Sequence, residues 1–126
     1  MTQSELATFR PESGDEELVT KATLKAADFL GINRATLVRV LGVSPSQISK
    51  LEKGTAVLSA KPFETGLLLV RLYRSLAGIV GQDEEAMRNW MNGFNTQLRG
   101  KPMDLIQGIT GLVDTINYLD SRRARI

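Results

Sequence analysis

The chain has 126 residues, of which 42% are hydrophobic and 24% charged, with a formal net charge of +2. That length supports one real core, or two small helical units sharing one. It contains no cysteine and no histidine, which excludes disulfides, thiolate chemistry and the usual zinc ligands; no apolar run is long enough to cross a bilayer.

The charge is unevenly spread. Residues 1–20 carry a net charge of −4 and residues 32–74 one of +5, so the positive excess falls where a phosphate backbone would need it. Residues 1–14 are polar and include Pro11, Ser13 and Gly14, and they read as a flexible lead-in. The first residues have neither the basic start nor the apolar core of a signal peptide, and the absence of cysteine makes a reducing cytoplasm the expected compartment.

Asp15 is placed to cap a first helix whose opening turn holds Glu16 and Glu17. Leu18, Val19, Ala22, Ala26, Phe29 and Leu30 form its apolar stripe, and Gly31 stops it. Asn33 caps a second helix from Arg34 to Leu41, with Leu37, Val38 and Leu41 apolar at helical spacing. Gly42 ends that helix and Val43 can plug the corner after it. Ser44-Pro45-Ser46-Gln47 then opens a third helix with a cap, a proline at the first position and a glutamine able to close a capping box. Ile48 and Leu51 pin one face of this helix to a core. Ser46, Ser49, Lys50 and Lys53 share another, with Gln47 beside them.

This is a helix, a tight turn and a second helix that a DNA groove can accept. The operator-facing set is Ser44, Ser46, Gln47, Ser49, Lys50, Lys53 and Arg34, with Arg39 and Lys61 as lesser phosphate contacts. Gln47 suits adenine and the lysines suit guanine or phosphate; equally, the Gln47 amide can simply complete the capping box. Val38 is larger than the residue usual at its place.

Pro62 begins the most apolar helix, reaching about Val80. Its run Leu67-Leu68-Leu69-Val70 is apolar all round and asks for cover on more than one side. A central core helix satisfies that, and a homodimer contact through Leu67, Leu68, Leu69 and Val70 is the sharper reading. Gly81-Gln82 breaks the pattern. Asp83 caps a helix expected to reach about Leu98, with Ala86, Met87, Trp90, Met91, Phe94 and Leu98 as its stripe. Trp90 reads as a core anchor or as a ring for a ligand to stack on. After the turn Arg99–Pro102, helical periodicity runs from Met103 to Leu119. Gly108 and Gly111 interrupt it, which predicts a break or a close helix contact near Gly111. No segment alternates as a strand does and no repeat is present. The expected fold is all-α, divided as 1–14, 15–80 and 81–126.

Catalysis has little to work with. The carboxylates sit mostly at helix starts, where capping accounts for them. No Ser-x-x-Lys pair exists, since Ser46 is one residue too far from Lys50 and Ser49 adjoins it. Gly108-Ile-Thr-Gly111 lacks the lysine and preceding strand of a phosphate loop. The expected protein is not an enzyme, with no cofactor, no metal, no small-molecule substrate and no membrane among its partners.

Val43-Ser-Pro-Ser-Gln-Ile-Ser-Lys-Leu-Glu-Lys-Gly54 resembles the Xre-type helix-turn-helix. Trp90-Met91, Asn95, Leu98-Arg-Gly-Lys-Pro102, Asp104-Leu-Ile106, Gly111, Val113 and Leu119 resemble the toxin-binding domain of Xre/MbcA/ParS antitoxins. The resemblance spans about residues 21–126, and its Trp…Asn…Leu-x-Gly-Lys-Pro block is the discriminating part. It implies an antitoxin of a type II system that covers the cleft of a RES-domain toxin, an ADP-ribosyltransferase-like enzyme acting on NAD. It further implies a likeness in the N-terminal part to domains that dimerise or bind the operon's promoter. Under that resemblance the toxin-binding set is Trp90, Asn95, Leu98, Lys101, Pro102, Arg122, Arg123, Arg125 and Ile126. Trp90 and Pro102 shape the fold in that set, and the arginines lie near the cleft. The arginine-rich end departs from the small, glycine-containing finish of the family. The competing reading is a plain helix-turn-helix repressor whose last third serves dimerisation or effector binding.

Overall fold

Caps and glycines divide the chain into short helices, and one long apolar helix gathers them. The computed structural model describes residues 13–123, as α1 (Ser13–Leu30), α2 (Arg34–Leu41), α3 (Pro45–Lys53), α4 (Ala60–Val80), α5 (Glu84–Asn92), α6 (Pro102–Leu105) and α7 (Ile109–Arg123). Among these residues there is no strand, only an isolated bridge between Asn95 and Gly100, so the fold is all-α. The lead-in expected over 1–14 falls almost wholly outside the described residues, as do Arg125 and Ile126.

The spine is α4. Leu69, Leu72 and Leu76 are completely buried along it, and Phe63 nearly so. The flanking helices α1 and α7 both run parallel to it. Along α1, Thr23 meets Gly66 and Phe29 meets Tyr73, the rings 5.5 Å apart. Along α7, Asp120 meets Ser75 and Arg123 meets Gly78. The α1 contact is close because Gly66 has no side chain: a Cβ there would lie 2.7 Å from Thr23 Oγ1 and 2.9 Å from Leu58 Cδ1. One continuous core results. It takes in Leu30, Leu41 and Ile48 from the first half and Met87, Met91, Leu112 and Leu119 from the second.

Three expectations need correcting. The helix α1 starts at Ser13, so Asp15 lies in its first turn instead of capping it. Leu18, assigned to the buried stripe, is 66% exposed. The stripe is rotated because Thr20, Thr23 and Ala27 take the core side. Thr20 Oγ1 donates to Glu16 O at 2.7 Å and accepts from Leu58 N at 2.8 Å, so a hydroxyl sits where an apolar count looks for a methyl. Finally, Leu69 lies wholly inside this chain's own core and cannot touch a second copy without unfolding. Only Leu67 of that run is exposed, with Leu68 and Val70 half-buried at its margins.

Candidate functional site

Two surfaces carry the residues singled out above. The first is built by α2, the corner and α3. Asn33 Oδ1 accepts from Thr36 N at 2.8 Å and starts α2. Gly42 ends it at φ +68°, a conformation that costs a side chain strain and glycine almost nothing. Val43 packs half-buried on the core, its N–H donating to Val38 O. Ser44 Oγ accepts from Gln47 N at 3.1 Å, a cap of a kind worth about 1 kcal/mol. Ile48 and Leu51 are buried and fix the helix in rotation. Val38 is accommodated half-buried against the same core.

With that rotation set, Ser46, Lys50 and Lys53 are exposed, while Gln47 and Ser49 are half-buried at the edge of the face. Lys50 and Lys53 form no ion pair among the described residues and lie in the last turn of α3, where the helix dipole favours cations. Arg34 is placed differently. Its guanidinium donates to Ser49 Oγ at 3.2 Å and pairs with Glu52, bridging α2 to α3. It acts within the fold as a brace, and Glu52 offsets its charge. Arg39 and Lys61 lie away from this face, together on a cleft of about 340 Å³ also lined by Ile106 and Ile109. There Arg39 Nε donates to Gln107 Oε1 at 2.7 Å, tying α2 to the turn before α7.

The second surface is built by α5, α6, α7 and the loop between α5 and α6. The helix expected to reach Leu98 stops at Asn92. Asn95 is the cause: its Oδ1 accepts from Gln97 N at 3.0 Å and Leu98 N at 2.9 Å, bonds that replace helical ones. Reciprocal backbone bonds between Asn95 and Gly100, of 2.9 and 3.2 Å, close the loop. Phe94, assigned to the buried stripe, is therefore 71% exposed. Leu98 is half-buried, Lys101 exposed, and Pro102 buried at the first position of α6.

Trp90 packs half-buried on the core and stacks on Tyr118, centroids 6.4 Å apart and planes 17° off parallel. The Arg122 guanidinium lies 5.7 Å from the Tyr118 centroid. Both outcomes foreseen at the glycines occur. The helix breaks between Leu105 and Ile109, and α7 then crosses so near that a Cβ on Gly111 would sit 2.1 Å from Leu105 O. Further along, Asp120 accepts from Ser75 Oγ at 2.5 Å and from Arg71 Nη2 at 2.6 Å. The Ser75 hydroxyl, then the Arg71 and Arg123 charges, hold its carboxyl below the usual range against the opposing effect of burial.

The structure thus separates the named residues by what they do. Asn95, Leu98, Pro102 and Trp90 hold the second surface in shape, and Lys101, Arg122 and Arg123 are exposed on it. The exposure of Phe94 and the pairing of Arg34 with Glu52 were not foreseen. A turn-forming asparagine after Gly93 was the available signal for the first, and an acid–base pair on neighbouring helices for the second.

Residues 15–71 match the family model of the antitoxin Xre-like helix-turn-helix domain. Residues 75–125 match that of the antitoxin Xre/MbcA/ParS C-terminal toxin-binding domain. No curated protein matches the chain.

Proposed function

Because the chain belongs to the Xre/MbcA/ParS-type antitoxins, with an Xre-like helix-turn-helix and a C-terminal toxin-binding domain, we propose that it neutralises a RES-domain toxin by covering that enzyme's active site and represses its own operon. The toxin in this reading is an NAD-consuming, ADP-ribosyltransferase-like enzyme encoded beside the antitoxin. The antitoxin contributes no chemistry; it is a plug held by surface contact.

The observation that carries the reading is the division of labour in residues 84–123. Pro102 of the discriminating block and Gly111 and Leu119 of the wider resemblance are buried or sterically confined, and Asn95 closes the loop. They hold the loop and helices in a fixed shape that presents the exposed Phe94, Arg99 and Lys101, as a binding module requires. The autoregulatory half rests on the exposed Ser46, Lys50 and Lys53 of α3, which present short polar groups and unpaired cations to a groove. A homodimer spanning two half-sites completes it, and Leu67 is the residue of the α4 run left exposed for that contact.

Co-expression tests the central step. Cells producing the neighbouring RES-domain toxin are expected to recover growth when this chain is co-produced, and the two proteins to co-purify. Persistent toxicity with no complex would sink the reading.

A further inference from the structure

Phe94 has the largest exposure of any bulky apolar side chain among the described residues, yet its backbone is not loose. Four hydrogen bonds organise the six residues after it: two between the backbones of Asn95 and Gly100 and two to Asn95 Oδ1. Reciprocal pairing of Asn95 with Gly100 sets Phe94 and Lys101 across from each other at the mouth of the loop. Gly100 is itself packed close to Leu105, where a Cβ would come within 3.2 Å.

Inside the loop, Arg99 holds φ at +61°. Glycine would adopt that conformation without penalty, and an arginine does so against steric resistance from its own Cβ. The Arg99 side chain is exposed and forms no hydrogen bond or ion pair among the described residues. A strained backbone position therefore carries a long cation that bonds to no other described residue. Beside it stand an uncovered aromatic ring and a second exposed cation, Lys101, which forms no ion pair among the described residues.

Building on the antitoxin reading, we propose that Phe94, flanked by Arg99 and Lys101, is the anchor by which this chain grips its toxin, the ring entering an apolar socket edged by carboxylates. A rigid loop gives up little conformational freedom on docking, which is where an exposed ring contributes most. The charges select the occupant. In a symmetric contact between two copies the same patch meets itself, and Arg99 and Lys101 would face their own equivalents, like charge against like. An acid-edged partner removes that repulsion and turns it into attraction. The loop also lies inside residues 75–125, the part matched by the toxin-binding family.

The test measures binding of the full-length chain to the purified RES-domain toxin, made catalytically silent, by calorimetry. Phe94→Ala is expected to weaken binding by about 30-fold, the size of a hot-spot truncation, with an unchanged melting temperature because the ring is exposed. Arg99→Gly is expected to weaken binding by about tenfold while leaving the melting temperature equal or higher, since it relieves the left-handed backbone. That opposition of affinity and stability would not arise from a merely structural arginine. If the unaltered chain fails to bind the toxin, the antitoxin–toxin reading itself falls. If it binds and both variants bind within about twofold of it, this proposal alone is overturned. It is equally overturned if Phe94→Ala leaves toxin affinity intact and instead changes the oligomeric state of the free chain.

Discussion

At the scale of single residues, the sharpest steric demand falls on Gly111. Any side chain there must displace the Leu105 carbonyl, because an ideal Cβ would sit 2.1 Å from its oxygen and 2.8 Å from its carbon. Backbone cannot swing aside as a flexible side chain can. Gly111→Ala is therefore expected to cost about 2–3 kcal/mol of stability. Gly108 has nothing within 4 Å of the same imagined atom, so Gly108→Ala should stay within about 0.5 kcal/mol of the parent. Urea unfolding of the two variants reads the contrast directly, and equal midpoints would refute it. The glycine pair was visible in the sequence as an interruption of the last helix. Which of the two is the break and which the close crossing depends on where α7 lies against the preceding turn, a tertiary fact.

Among elements, α3 is where local sequence speaks most plainly. Asn33, Gly42, Ser44, Pro45 and Gly54 cap or bound α2 and α3 where their chemistry places them. The face proposed to meet the operator is set by the burial of Ile48 and Leu51. Replacing Lys50 and Lys53 together with alanine should weaken operator binding and lower the slope of log affinity against log salt by about 1.8, near 0.9 per phosphate contact. Filter binding or fluorescence anisotropy across a salt series measures it, and an unchanged slope would remove these lysines from the interface. Elsewhere periodicity misled wherever a polar side chain altered the backbone or entered the core. Asn95 ends α5 about six residues before the apolar pattern does. Thr20 and Thr23 turn α1 so that Leu18 faces solvent. Asn95 and Thr20 mislead for one reason: amide and hydroxyl groups that find partners can end a helix or enter a core, and an apolar count cannot see the partner. Thr23 goes further, its hydroxyl buried with no hydrogen-bond partner among the described residues.

For the whole molecule, the decisive element is α4, which offers one flank to α1 and the other to α7. Asp120 fastens the second flank through Ser75 and Arg71. Its carboxyl is held below the usual range, so the unfolded chain binds this proton more readily than the folded one. The contribution to stability is accordingly present above about pH 4, the ordinary aspartate value. It is lost as the pH falls further, through the lowered folded value. The group is partly solvent-exposed, which limits the gain. Asp120→Asn should destabilise the protein by about 0.5–1 kcal/mol at neutral pH and flatten the acid limb of its stability curve. Thermal melts from pH 7 to pH 3 would show it, and parallel curves for parent and variant would contradict it.

The shared spine also governs how such antitoxins could be recombined. The matched segments meet between residues 71 and 75, which lies inside α4. A chimera joined there would take Arg71 from one parent and Ser75 with Asp120 from the other, dividing a three-residue contact between two ancestries. Exchange of toxin specificity without loss of folding should therefore favour junctions that carry all of α4 with the C-terminal half, together with the α1 residues that pack on Gly66.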